Sequence, residues 1–272
     1  MAIQGITFKN NYSELEVRIK RTPHFKITTH YIELFDRPYS VSNNVFYNRY
    51  KSWERCRNAF SNAFINRNIN NPNYGNLALN LAWYLASWGM LRGSSFLLQC
   101  DYSVHIVPIR DILLNKKYEK LFIIDPLTQS DEYLELLFGG KNILSKNIPG
   151  IVKELKDYYT AYRGVFKKTK SDDFSNTLIT KILLGVFGCI PAYDDYFMKA
   201  MGYYGIQKTF SIRGVKSLLN ALRTYNGFIN AIENTKINFN YVCAPNNKIY
   251  TFMKIVDIVF WKIGEKIWEL EN

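Results

Sequence analysis

From Ser42 onward the apolar residues recur at helical rather than strand spacing, and this one pattern excludes a sheet-dominated fold for most of the chain. Val45, Tyr50, Trp53, Cys56, Phe60 and Phe64 return at steps of three to five, which predicts a helix from a Ser42 cap to about Arg67. The run NINNPNYGN (68–76) then breaks it, because Asn, Pro and Gly favour turns. A Trp-rich helix is expected from Leu77 to about Gln99. IVPIRDILL, SDEYLELLF and PGIVKELKDYYTAYRGVF carry the same spacing, as do residues 173–186, 195–204, 212–233 and 248–269. Eight or nine helices result. Before Pro38 the pattern differs: ITF, LEVRIK and FKITTHYIELF are short β-favourable runs separated by Asn, Thr and Pro. The expected fold is mainly α, a single helical domain over residues 41–272 behind a small β-rich extension at 1–40.

A chain of 272 residues that is 47% hydrophobic and 16% aromatic can bury a substantial core, so disorder is excluded. Cys56, Cys100, Cys189 and Cys243 lie far apart, which argues against a zinc module and against a disulfide-stapled secreted fold. His24, His30 and His105 are equally scattered, and there is no GxSxG, HExxH or P-loop. Neither cofactor nor metal is expected. MAIQGITFKNNYSELEVR has polar and acidic residues where a signal peptide needs an apolar core, so a cytoplasmic protein is expected. Leu77 to Leu91 is the longest apolar segment, but Asn80, Ser87 and Gly89 interrupt it and it falls short of the roughly 20 residues that span a bilayer. A buried helix, with Trp83, Tyr84 and Trp88 packed in the core, is the better reading.

The charge is uneven. Residues 1–140 carry 16 Lys+Arg against 12 Asp+Glu, whereas 141–272 carry 19 against 11, so the surplus of +8 lies in the second half. Arg163 to Arg223 alone holds ten basic residues and four acids. Such charge neutralises phosphates and releases counterions, which makes DNA, duplex or single-stranded, a natural partner. Solubilising Lys-rich helices are the alternative. Lys167, Lys168, Lys170, Lys181, Lys208, Arg213 and Lys216 are the candidate DNA-binding residues.

Residues 176–202 read NTLITKILLGVFGCIPAYDDYFMKAMG: an apolar helix, a Gly-Cys-Ile-Pro break, then an Asp pair opening a second helix. Pro191 keeps the preceding residue out of helical geometry, and Asp194 or Asp195 can cap the next helix near the positive end of its dipole. An acid so placed stays ionised and can offset positive charge developing on a substrate. A plain N-cap is the other use for the pair. Arg92, in GMLRGSSF, follows an apolar helix and has Gly89, Gly93, Ser94 and Ser95 around it. These small residues would let it meet a phosphate or a carboxylate such as Asp194. Cys189 would be a nucleophile only with a histidine beside it; a buried thiol is the alternative.

The same stretch resembles the segment that follows the hairpin in the helix-hairpin-helix DNA glycosylase superfamily, where a helix beginning Thr-Ala breaks at small residues and leads through Pro into Val-Asp and a further helix ending Leu-Gly. The matching residues are Thr177, the helix through Phe187 and Gly188, then Pro191, Ala192, Tyr193, Asp194, and the helix ending Met201-Gly202. Small relatives of that superfamily with an SKxLHFL…FPxxDSRV pattern are similar too, matched by Thr180-Lys181-Ile182-Leu183 and Pro191-Ala192-Tyr193-Asp194. The resemblance implies that Asp194 occupies the position of the catalytic aspartate, assisting departure of a base flipped out of the strand, with Arg92, Tyr193 and Asp195 as candidate pocket residues.

Two departures shape that expectation. Where the family has hairpin glycines holding a phosphate, this chain has KKTKSDDFS, so Lys167, Lys168 and Lys170 are the available replacements. The Schiff-base lysine of bifunctional members would fall at Asn176 or Thr177, so β-lyase chemistry is not expected, and Lys181 sits one helical turn further on. The expected activity is therefore that of a monofunctional DNA glycosylase. The alternative is a non-catalytic nucleic-acid-binding or defence-associated adaptor on the same scaffold, its protein partner unknown.

Overall fold

In a computed structural model of the chain, which describes residues 50–66, 71–93, 95–140, 149–166, 175–224 and 250–272, the helical spacing becomes eight longer helices. They are α1 (Tyr50–Asn66), α2 (Tyr74–Ser87), α3 (Ser130–Phe138), α4 (Ile151–Phe166), α5 (Asn176–Val186), α6 (Asp195–Tyr203), α7 (Ile212–Thr224) and α8 (Phe252–Glu271). Shorter helical turns between Phe96 and Phe122 join α2 to α3. No strand occurs among the described residues; one isolated antiparallel bridge ties Gly139 to Pro149. The β-rich extension expected at 1–40, the Ser42 cap, the end of the 212–233 helix and Lys167, Lys168 and Lys170 lie outside the described residues. No described helix is long and apolar enough to cross a membrane.

Helix α5 is the axis of the fold. Every residue from Leu178 to Val186 is buried, Thr180 and Lys181 included, so neighbours must close on it from all sides. Trp53, Cys56 and Phe60 of α1 and Leu81, Tyr84 and Leu85 of α2 fill two of those sides. Gly185 sets the approach: a Cβ there would sit 2.6 Å from the Tyr84 ring. The indole N–H of Trp53 donates to the Leu184 carbonyl at 2.8 Å, a second donor beside the Gly188 N–H at 3.0 Å. Truncating a side chain buried this way costs about 3–5 kcal/mol.

Two stretches depart from the sequence pattern. The helix expected over 77–99 ends at Ser87, because the Trp88 N–H closes back on Tyr84 and Ala86 and Gly89 then turns at φ +76°. Core packing of Trp83 is also overturned: it is 59% exposed, with Leu79 at 53%. The buried stripe of α2 is Leu77, Ala78, Leu81, Tyr84 and Leu85, and Leu79 and Trp83 fall on the far side of the helix.

At the other end of α5, Phe187 and Gly188 bond back to Leu183 and Leu184 with Gly188 at φ +62°, which ends the helix and starts the strap 188–194. The strap leads into α6, and α8 lies directly across α6. A Cβ on Gly264 would come 1.8 Å from the Tyr196 carbonyl oxygen, so only glycine permits that crossing. Trp261 and Trp268, three residues before and four after Gly264, are thereby brought beside Tyr196.

Candidate functional site

Where the end of α2, the start of α6 and one face of α8 meet, they enclose a cleft of about 590 Å³. Its walls are aromatic. Trp88 stands edge-on to Trp261 at 6.4 Å, Trp261 edge-on to Tyr196 at 5.1 Å, and Tyr196 meets Trp268 at 6.3 Å. Trp261, Glu265 and Trp268 recur at i, i+4 and i+7 on α8, so they share one face.

Asp194 sits in this cleft with 16% of its side chain exposed. One oxygen, Oδ1, accepts the Phe197 N–H at 3.1 Å and caps α6, while Oδ2 takes the Lys181 ammonium at 3.0 Å. The N-cap and the cleft-lining acid are thus the same carboxylate. Lys181 is only 5% exposed, so each charge depends on the other for the solvation it has lost.

A second buried pair lies behind the first. Lys254 Nζ and Asp257 Oδ2 are 2.9 Å apart with side-chain exposures of 1% and 6%. Burial lowers the Lys254 pKa, and the carboxylate of Asp257 opposes that shift. Both ammonium groups face the same indole, Lys254 at 4.7 Å and Lys181 at 5.6 Å from the Trp88 ring centre. Asp257 Oδ1 also accepts the Ala192 N–H at 2.8 Å, which ties this pair to the strap carrying Asp194.

Of the residues singled out in the sequence, Asp194, Asp195, Arg92 and Lys181 converge here. Tyr193 does not. It is buried between Phe197 at 5.2 Å and Phe210 at 5.1 Å, because successive residues of an extended strap face opposite ways and Asp194 takes the cleft side. Arg92 forms no ion pair with Asp194, whose partner is Lys181. Lys181 itself is part of the cleft interior and not of an exposed basic face. Lys208, Arg213 and Lys216 are exposed at the far end of α6 and the start of α7, and Lys216 lines a shallow hollow with Asp131 and Glu135. Cys189 is buried and its thiol is pushed up to about 12 by desolvation, so it holds no thiolate at neutral pH. His105 is buried against the Tyr159 hydroxyl at 2.7 Å, in the core. Among the described residues no His, Cys, Asp and Glu cluster suited to a metal ion occurs.

Sequence reasoning missed the whole contribution of α8. A signal existed in FMKIVDIVF: Lys254 and Asp257 stand three apart with apolar residues on every side, the pattern of an ion pair closed within a buried helix.

Comparison with known proteins leaves the fold and the cleft without a named family. A 145-residue stretch, 53% of the chain, is 26% identical to the flagellar motor switch protein FliM of Buchnera aphidicola subsp. Acyrthosiphon pisum (strain APS). That stretch spans 38% of the relative, so the chain matches well under half of its length. No protein-family model and no solved structure matches.

Proposed function

We propose that the cleft receives a nucleobase swung out of a DNA strand and that the protein hydrolyses its N-glycosidic bond, with Asp194 as the group that stabilises the transition state. The observation that carries this reading is a carboxylate, 16% exposed, lining an aromatic-walled cleft whose volume of about 590 Å³ is that of a small-molecule site. Trp88, Tyr196, Trp261 and Trp268 offer the stacking surfaces a flipped base needs. As the C1′–N bond breaks, its electron pair leaves with the base and positive charge builds on the sugar. Asp194, held in place by Lys181 and by the first turn of α6, opposes that charge without having to reorganise. Water then forms the C1′–O bond, and its proton ends on the departed base. Exposed Lys208, Arg213 and Lys216 lie beyond the far end of α6 from the cleft, where they could meet backbone phosphates of the same strand.

The test is base release from a panel of duplex and single-stranded DNA carrying uracil, alkylated or oxidised bases, scored as alkali-labile sites. Wild-type protein should produce them on at least one substrate, and Asp194→Asn should not. No release from any substrate, with the pocket intact, would leave the reading without its chemistry.

A second reading has one specific observation in its favour: both oxygens of Asp194 already have partners, which is what a purely structural cap would show. In that case the protein is a non-catalytic nucleic-acid-binding or defence-associated adaptor, and its DNA retention, lost between about 50 and 200 mM salt, would persist in the Asp194 variant. Motor switching belongs to the FliM relative, and nothing in the cleft's chemistry calls for it.

A further inference from the structure

We propose that Arg92 is the phosphate contact of the cleft, so that its ligand is a nucleotide and neither a free base nor a nucleoside. The proposal rests on the nucleobase reading and adds to it the group that holds the strand in place of the hairpin glycines this chain lacks.

The cleft and its rear wall hold four cations that could meet an anion, and three are committed. Lys181 is bound to Asp194, Lys199 to Glu271 and Lys254 to Asp257. Arg92 lines the same cleft, is exposed, and its guanidinium has no hydrogen-bond or ion-pair partner among the described residues. An uncommitted guanidinium keeps five donors in a planar fork, and that fork matches two oxygens of a phosphate.

The chain also holds Arg92 in one place. After α2, the Gly89 N–H bonds to the Ala86 carbonyl at 3.0 Å, the Met90 N–H to Leu85 at 2.9 Å, and the Ser95 N–H to the Arg92 carbonyl at 3.2 Å. Gly89 and Gly93 turn the backbone at φ +76° and +58° on either side. The guanidinium then lies against Gly89, where a Cβ would stand 3.3 Å from its Cζ and Nε. A loop fixed by three backbone hydrogen bonds and two positive-φ glycines, around a guanidinium with no partner among the described residues, is arranged for a ligand.

Charge decides where an anion can go. Asp194 and Glu265 are paired to Lys181 and Lys262, so Asp195 is the cleft carboxylate with no ion-pair partner among the described residues and repels a phosphate from the start of α6, while the aromatic rings favour an uncharged planar group in the interior. Base inside and phosphate at Arg92 is the arrangement that satisfies both.

The experiment is a fluorescence titration of the full chain at about 50 mM salt, read from the cleft tryptophans. The probes are the four 2′-deoxynucleosides, their 5′-monophosphates, and inorganic phosphate. At least one monophosphate should bind wild-type protein about ten-fold or more tighter than its nucleoside, as expected for a charge-assisted hydrogen-bonded pair. Arg92→Ala should close that gap to within two-fold and leave nucleoside affinity unchanged, and Arg92→Lys should keep part of it. Equal binding of nucleoside and monophosphate by wild-type protein would overturn the phosphate contact and leave the base pocket standing. Inorganic phosphate binding as tightly as the nucleotides, lost in Arg92→Ala, would keep an anion site and overturn the base pocket. No binding of any probe overturns both.

Discussion

Asp194→Asn is the natural test of the site, and the structure says it will not be a silent one. Asparagine still caps α6, since its amide oxygen can accept the Phe197 N–H as Oδ1 does. What it removes is the countercharge of Lys181, 3.0 Å away and 5% exposed, leaving a nearly dry ammonium beside a neutral amide. Breaking a buried pair from one side costs about 3–5 kcal/mol, and the 16% exposure of Asp194 puts this case at the low end, about 3 kcal/mol. Lys181→Met in the same chain removes the stranded charge and keeps the length of the side chain, so the double variant should recover to within about 1 kcal/mol of wild type. Urea unfolding followed by far-UV circular dichroism measures all three, and base-release assays are then run on the double variant as well as the single one. Absence of release in a double variant of wild-type stability assigns the loss to chemistry. If Asp194→Asn alone unfolds within about 0.5 kcal/mol of wild type, Lys181 does not depend on that carboxylate and the ion-pair argument fails.

Three further outcomes follow from the same physics. Asp257→Ala should destabilise by several kcal/mol, because it strands Lys254 and the Ala192 N–H together; since burial already lowers the Lys254 pKa, neutral Lys254 is most accessible at high pH, and the deficit should shrink as unfolding is measured from pH 7 toward 10. His105 is held down to about 4 by burial, so the unfolded chain binds its proton first: stability should fall by about 3 kcal/mol as pH drops from roughly 6.5 to 4, and His105→Gln should flatten that part of the profile in urea titrations. Trp83→Ser should change stability by less than about 0.5 kcal/mol, whereas Trp53→Ala, which empties a fully buried site and removes one of the two donors to the Leu184 carbonyl, should cost about 3–5 kcal/mol; equal losses would contradict the assigned faces of α1 and α2.

How much of this the sequence carried depends on whether the information was local. Helices such as Ser130–Phe138 could be read almost to the residue, because a polar start, an acidic first turn and apolar spacing all lie within nine positions. The Gly-Cys-Ile-Pro break and the Asp194 cap were legible for the same reason. The facing of Trp83 was not, since two apolar residues on the wrong side of a helix look like core until the neighbours of α2 are known. Nor was Tyr193, where a cleft residue and a core residue differ only in the direction of an extended strap. Lys181 read as one of a series of basic residues because its partner is thirteen positions away, across the break. The aromatic wall comes from α2 and α8, and Trp88 and Trp261 meet only after α8 has crossed α6 at Gly264.

The strap that carries Asp194 joins the site to the core, and its hydrogen bonds explain why buried charge is retained there. It is held from α5, where Thr180 Oγ1 accepts the Tyr193 N–H at 2.9 Å and Thr177 Oγ1 donates to the Tyr193 carbonyl at 3.0 Å. From α8, Thr251 Oγ1 donates to Gly188 O at 2.7 Å and Asp257 accepts the Ala192 N–H; from α3, the Tyr133 hydroxyl donates to Cys189 O at 2.9 Å. Extended backbone has no ladder of its own in a helical protein, so each buried amide and carbonyl needs such a partner. Asp257 supplies one of them as an anion, and Lys254 neutralises that anion against the face of Trp88. An apolar pair in their place would pack as well but would leave the Ala192 N–H unsatisfied beside the catalytic candidate. The two ion pairs thus do different work: Lys254–Asp257 fixes where the strap runs, and Lys181–Asp194 fixes the position of the carboxylate at its end.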